Sequence, residues 1–311
     1  MTSASDPAVL PPSGVQHEIS RGRHRVVVTE VGATLRSYTF DGVDVIDGFA
    51  VGERSPGGRG QVLAPWPNRL QDGRYTFDGQ AGQAALDEPE RSNAIHGLMR
   101  WLPWQLVEGA DDVVLLACVL HPQPGYPWRL QLRMQYRLAN EGLAVTAETT
   151  NLGNGPIPFG IGFHPYLTVG TATVDTTALL IPARRRLLTD ARGLPTGEAA
   201  VDGTEFDFTA ARPVGEAMLD TGYTGLIRGD DGRARAELHR PGGGRSVTLW
   251  VDAAFEYLMV FTGDTLGPAE RRRSVAVEPM TCPPNAFVSG RSLIRLEAGA
   301  SWTGSWGISV R

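Results

Sequence analysis

"LQLRMQYRLANEGLAVTAET", residues 130 to 149, decides the fold. Leu130, Leu132, Met134, Tyr136 and Leu138 occupy alternate positions, with a polar residue between each and the next. Strand side chains alternate faces, so this spacing buries one face and wets the other; a helix would need a different period. Asn140–Gly142 supplies a turn, and the alternation resumes at Leu143 and Val145. The stretch reads as a hairpin of two half-buried strands.

The same signal extends in both directions. "RVVVTEVGATLRSYTFDGVDVIDG", residues 25 to 48, joins strands through Asp41-Gly42, a strong hairpin dipeptide, and Asp78-Gly79 repeats it within "GRYTFDGQ". "RARAELHRPGGGRSVTLWVD", residues 233 to 252, is another hairpin with a glycine tip. No window of helical length carries an apolar stripe. The pattern predicts an all-β chain folded as a large antiparallel sandwich, with residues 16–311 as one domain and residues 1–15 as a mobile N-terminal segment. A weakly apolar stretch over residues 188–223 reads as a long excursion across the surface.

The 311 residues carry 41% hydrophobic and 20% charged side chains and a formal net charge of −5. That is the composition of an ordinary globular protein, and it has no basic face for nucleic acid. No apolar run reaches the length of a membrane span. The opening residues lack a basic and an apolar segment in series, which predicts no secretion signal and a cytoplasmic protein. Cys118 and Cys282 stand in no ligand-like spacing and read as reduced thiols.

The chemistry concentrates in a few stretches. In "FGIGFHPYL", residues 159 to 167, Phe159, Ile161 and Phe163 form one bulky face. Gly160, Gly162 and His164 form the other. "SVAVEPMTCPPNAF", residues 274 to 287, repeats the design: Val275 and Val277 on one face, Ser274, Ala276 and Glu278 on the other. Each strand ends a trimmed face in a titratable group, which predicts a pocket floored by Gly160 and Gly162 with His164 and Glu278 at its edge. Asn68-Arg69 follows the stiff "LAPWP", and His96-Gly97 precedes a tryptophan-rich run. A carboxylate and an imidazole facing one pocket form a general base and a general acid. Ordinary pKa values of about 4.3 and about 6.5 leave the first ionised and the second partly protonated at neutral pH. A carboxylate nearby is expected to raise the imidazole value. Such a pair moves two protons on one substrate, at about 10²- to 10⁴-fold per positioned group.

The chain resembles the aldose 1-epimerase (galactose mutarotase) family. The resemblance rests on "PWPNRLQDGRYTFDG", "NAIHG", "GYPW", "GFHPYL", "MLDTGY" and "VAVEPMT", which occur in the family's order between residues 60 and 285. It implies a single-domain supersandwich that interconverts the anomers of an aldose sugar by ring opening. It implies Glu278 as base on the anomeric hydroxyl, His164 as acid on the ring oxygen, and His96 bonded to that oxygen or a neighbouring hydroxyl. Arg69, Asp220 and Asn68 would hold sugar hydroxyls; Trp66 and Trp101 read first as core packing, with a stacking face for a sugar as the alternative. No metal or organic cofactor is implied. One departure concerns preference among sugars: Met259 stands where family members often carry a glutamine that touches the sugar. The alternatives are a hexose-6-phosphate epimerase on the same pair, a carbohydrate-binding protein without catalysis, and a glycoside hydrolase using Glu278 and Asp220.

Overall fold

The computed structural model describes residues 10–311. The hairpin at residues 130–149 becomes two ten-residue strands, Leu130–Ala139 and Gly142–Asn151, paired antiparallel with Leu130 opposite Asn151. The five alternate hydrophobes from Leu130 to Leu138 are all buried. Gly142, at φ +135°, packs so closely on the next strand that a Cβ would lie 2.1 Å from the Ile308 carbonyl oxygen. These strands sit inside a nine-stranded sheet that runs from Gln105–Ala110 at one edge to Arg212–Pro213 at the other.

An eight-stranded sheet faces it. Its path runs Pro195–Ala200, Ala183–Thr189, Asp220–Leu226, Tyr257–Phe261, Val275–Met280, Gly162–Phe163 and Val62–Leu63, and Tyr166–Leu167 joins Val275–Met280 from the side. Phe163 brings the two sheets together: its ring lies 5.1 Å from Trp306 and 6.0 Å from Phe255, centroid to centroid. Phe159 meets Trp302 at 5.8 Å. A four-stranded sheet, Gln16–Arg21 to Val43–Asp44, completes the frame. The chain is therefore an all-β sandwich of large antiparallel sheets, and its described α-helical content is the four-residue Ala286–Ser289. No helix among the described residues is long and apolar enough to cross a membrane.

Three readings are refined or corrected. Of the segment expected to be mobile, residues 1–9 lie outside the described residues. Within 10–15, Ser13 and Gly14 are buried, and the Val15 N–H donates to the Glu30 carboxylate at 2.9 Å. The stretch 188–223 is not a bare surface loop. It contributes Pro195–Ala200, Arg212–Pro213 and the start of Asp220–Leu226, because pairing with Ala183–Thr189 and with Tyr257–Phe261 satisfies a backbone whose side chains gave no alternation. The run 159–167 is not one strand either. It is three short pieces, Ile157–Phe159, Gly162–Phe163 and Tyr166–Leu167, broken at the glycine and the proline.

The Phe163 contact gives a direct test of the sandwich. Phe163→Ala is expected to lower the unfolding free energy by about 3–5 kcal/mol, read from urea denaturation, because a fully enclosed ring is removed from both sheets. A loss under about 1 kcal/mol would mean that the sheets do not close on this residue.

Candidate active site

The centre of the site follows from strand register. Gly162 pairs with Met280 and Tyr166 pairs with Ala276, so His164 and Glu278 stand opposite each other. His164 Nε2 lies 3.3 Å from Glu278 Oε1. Both residues are buried, at 6% and 2% exposure. His164 is fixed from several directions. Its backbone N–H donates to the Gln61 carbonyl at 3.1 Å, and its carbonyl accepts from Gly60 at 2.9 Å. Its ring stacks on Tyr166 at 5.0 Å and 13°. The Tyr166 hydroxyl donates to the Gly57 carbonyl at 2.8 Å, and the buried Arg59 guanidinium lies 4.6 Å from the Tyr166 ring. Gly58 abuts the imidazole edge so closely that a Cβ would come within 2.8 Å of Cδ2.

Burial governs the protonation of this pair. It pushes the His164 imidazole down to about 3, helped by the positive charges of Arg59 and Arg100. Burial also lifts the Glu278 carboxyl well above its ordinary value; the Asp220 charge adds to the rise and Arg69 opposes it. The expectation that a neighbouring carboxylate raises the histidine is thus corrected: desolvation disfavours both charged forms and outweighs the pairing. His96 shares this environment. Its ring meets His164 edge-on at 5.4 Å, and burial, then His164, Arg100 and Arg69, push it well below its ordinary value.

His96, Asn68 and Arg69 arrive together at one end of a small sheet, Arg69–Gln71 against Asn93–Ile95. The His96 N–H donates to the Asn68 carbonyl at 2.9 Å, and the Asn68 side-chain oxygen accepts from the Arg69 N–H at 2.9 Å. Asn68 and His96 both hold left-handed backbone, at φ +55° and +65°, a conformation that costs a non-glycine residue about 1–3 kcal/mol and collects at functional sites. Gly160 and Gly162 serve this segment. A Cβ on Gly162 would lie 2.8 Å from Pro67, and one on Gly160 would lie 2.5 Å from the Cys282 sulfur. Contrary to the expectation, the two glycines do not floor the pocket; the space of their missing side chains is taken by Pro67 and Cys282, and the segment after Pro67 brings Asn68 and Arg69 to the same cleft as His164.

Asn68, Arg69, His96, His164, Asp220 and Glu278 all line one cleft of about 590 Å³. Arg69 is buried and donates from Nε and Nη2 to Glu88 at 3.0–3.1 Å, and Asp220 stands 3.9 Å from its Nη2 at the exposed side. Burial works against the Glu88 charge, but hydrogen bonds from Arg69 and Asn93 hold its carboxyl below the ordinary value. Of the two tryptophans, Trp101 lines the cleft at 46% exposure. Trp66 is core, edge-on to Phe287 at 5.5 Å. In "GYPW" Tyr126 is core as well, its hydroxyl donating to the Pro158 carbonyl at 2.8 Å, while Pro127 and Trp128 are half-buried.

Sequence reasoning missed Glu88, Gln61 and Tyr166. Glu88 sits in a polar loop with no pattern around it, and Gln61 is one polar residue in "GQVL". Tyr166 carried a signal, being two residues from His164 and so on its face. The turn over residues 190–193, part of the supposed surface excursion, lies on Arg69: a Cβ at Gly193 would reach to 2.6 Å from Nη1. Arg192 anchors the turn by donating to Asp72 and to the Ser92 carbonyl.

With this geometry in place, comparison with known proteins is direct. The sequence model of the aldose 1-epimerase family matches residues 16–309. The chain belongs to the aldose 1-epimerase family. It is 34% identical over 288 residues to the uncharacterized protein YihR of Escherichia coli K12, covering 92% of this chain and 90% of that one. It is 29% identical over 209 residues to the aldose 1-epimerase of the same organism, covering 65% of this chain and 59% of that enzyme. In structure it superposes on the GalM/aldose epimerase homologue from C. elegans with a TM-score of 0.85 at 18% identity, covering 96% of this chain and 98% of the other. The galactose 1-epimerase from Lactobacillus acidophilus gives a TM-score of 0.79 at 20% identity, covering 94% and 92%. At those identities the superpositions establish the fold, which is the galactose mutarotase-like sandwich of this epimerase family.

The Arg69–Glu88 pair is testable apart from chemistry. Arg69→Met leaves the Glu88 charge enclosed without its main partner and is expected to cost about 3 kcal/mol of stability near neutral pH. The penalty should shrink as pH falls through the ordinary carboxylate range, because protonation removes the unpaired charge. Adding Glu88→Gln should recover most of the loss; no recovery in the double variant would contradict the pairing.

Proposed function

We propose that the protein is an aldose 1-epimerase that interconverts the α and β anomers of a free aldohexose through the Glu278–His164 pair. The observation that carries this reading is the 3.3 Å approach of the carboxylate to the imidazole, both buried on one cleft. The Glu278 carboxylate takes the proton of the C1 hydroxyl while protonated His164 gives one to the ring oxygen. The bond between C1 and the ring oxygen breaks and its electron pair stays on that oxygen. Rotation about C1–C2 and attack of the freed hydroxyl on the other face of the aldehyde closes the opposite anomer, and the two protons return.

The pair thus works with one proton between its two members. Burial strengthens Glu278 as a base and protonated His164 as an acid, so each transfer runs downhill once that charge distribution is reached. The cost is that the opposite distribution, protonated Glu278 with neutral His164, is favoured before the sugar's hydroxyls enter. His96, held neutral, offers a nitrogen to the ring oxygen's neighbourhood. Asn68 has its oxygen occupied by Arg69, which leaves its amide N–H group to donate to a sugar hydroxyl. Arg69 and Asp220 offer a donor and an acceptor on the same cleft.

A neutral sugar suits the cleft better than a sugar phosphate. Its arginines Arg69, Arg91 and Arg100 each have a carboxylate within 4.0 Å, from Glu88, Asp220 and Asp87. Among the described residues, no cleft arginine stands without a carboxylate partner, ready for a phosphate dianion. Beside the base, Met259 pairs with Glu278 and packs with Leu187, Tyr257 and Met280. Met259 is thus taken up in an apolar cluster behind the cleft, where a glutamine would have offered hydrogen bonds, and this supports a substrate preference distinct from that of glutamine-bearing members.

Polarimetry of freshly dissolved α-D-glucose and α-D-galactose tests the reading. The wild type should accelerate the approach to anomeric equilibrium, and Glu278→Gln or His164→Gln should lower the rate by at least about 10²-fold. The kcat/KM profile should be bell-shaped, with macroscopic values belonging to the pair. A depressed histidine takes the second proton only below its ordinary value, so the acid limb should fall below about pH 6.5. An acid limb at or above that value would argue against the buried pair, and buffer-rate behaviour of the wild type on aldohexoses would remove the assignment.

A further inference from the structure

Gln61 lines the cleft yet is buried, at 1% exposure, and neither its amide oxygen nor its amide nitrogen has a hydrogen-bond partner among the described residues. Buried polar groups in folded proteins are almost always paired, and an unpaired amide weakens the fold that holds it. The backbone cannot carry this one away. The Gln61 N–H donates to the Gly58 carbonyl at 3.0 Å, and the Gln61 carbonyl accepts from His164 at 3.1 Å. The preceding Gly60, at φ +69°, is wedged on Leu35, whose carbonyl oxygen would lie 2.0 Å from a Cβ. The amide is therefore fixed at the His164 end of the cleft with its hydrogen-bonding capacity unspent.

We propose that Gln61 is a substrate-binding residue whose amide pairs with a sugar hydroxyl next to the reacting centre, an inference that rests on the epimerase reading. The chemistry of the amide selects the class of ligand group. It presents an acceptor and two donors side by side. A hydroxyl both donates and accepts, so it answers an amide from either direction. A carboxylate or phosphate oxygen only accepts and would leave the Gln61 oxygen unmatched; an apolar group would match neither atom. Unspent amide, His96 Nδ1 and Glu278 Oε2 together make a hydroxyl-sized demand on one stretch of the cleft.

Gln61→Met keeps the length of the side chain and removes its hydrogen bonds. With the aldose that the wild type turns over, kcat/KM should fall by about 10- to 100-fold, the loss of one or two hydrogen bonds to a bound hydroxyl. The sugar-free variant should unfold at a midpoint no lower than the wild type, because an unpaired buried amide has been replaced by a thioether. Activity lost without stability lost is the signature of a ligand contact. An unchanged kcat/KM, or a midpoint that drops, overturns the proposal, since the amide is then spectator or scaffold. If the wild type accelerates no aldose, the epimerase reading fails on its own. The rise in unfolding midpoint caused by D-glucose or D-galactose then decides for Gln61: a rise in the wild type that the variant loses supports the contact, and an equal rise, or none in either, overturns it.

Discussion

Gly162 pairs with Leu63 on one side and Met280 on the other, and Tyr166 pairs with Ala276, so strand alternation leaves His164 facing Glu278. This register is held by the Phe163 contact with Trp306 below and by the stacked Tyr166 beside it. A slip of one residue would turn the imidazole into the core and a phenylalanine into the cleft. The rest of the site hangs from the same seating. Pro67 fits only against a strand with no side chains at 160 and 162, and Pro67 delivers Asn68 and Arg69. Asn68 in turn bonds the backbone of His96.

The cost of this arrangement is electrostatic. A carboxyl, two imidazoles and a guanidinium share a volume in which burial penalises every charge. The protein relieves part of it at Arg69, whose charge is met by Glu88, and leaves the remainder at Glu278 and His164, the pair to which we assign the proton exchange. A group that holds its proton reluctantly and another that accepts one eagerly are what proton exchange with a hydroxyl and a ring oxygen requires.

Most of the fold was legible because hydrophobic alternation is a local signal. The strands at 130–149, the Asp-Gly turns and the absence of long helices all follow from it. The site was legible in part: two strands with trimmed faces pointed to His164 and Glu278, but the purpose of the trimming was misread. Glycine marks a close approach without saying what approaches, and here it is Pro67 and Cys282, both distant along the chain, one before the glycines and one after them. The protonation of His164 was misjudged for a related reason, since the depth of burial is a property of the whole sandwich. Glu88, Gln61 and the turn at 190–193 carried no pattern at all. Their roles come from tertiary neighbours that only the assembled sheets supply.

The central claim is that one buried pair, sharing one proton, exchanges the anomers of a free sugar. The most direct measurement is two-dimensional exchange NMR of an equilibrated aldohexose, where α and β anomers interconvert with no net reaction. The account predicts exchange cross-peaks between the two anomeric signals that grow with added wild-type protein and return to the buffer level with folded Glu278→Gln. Cross-peaks that persist undiminished in that variant would place the chemistry elsewhere and contradict it.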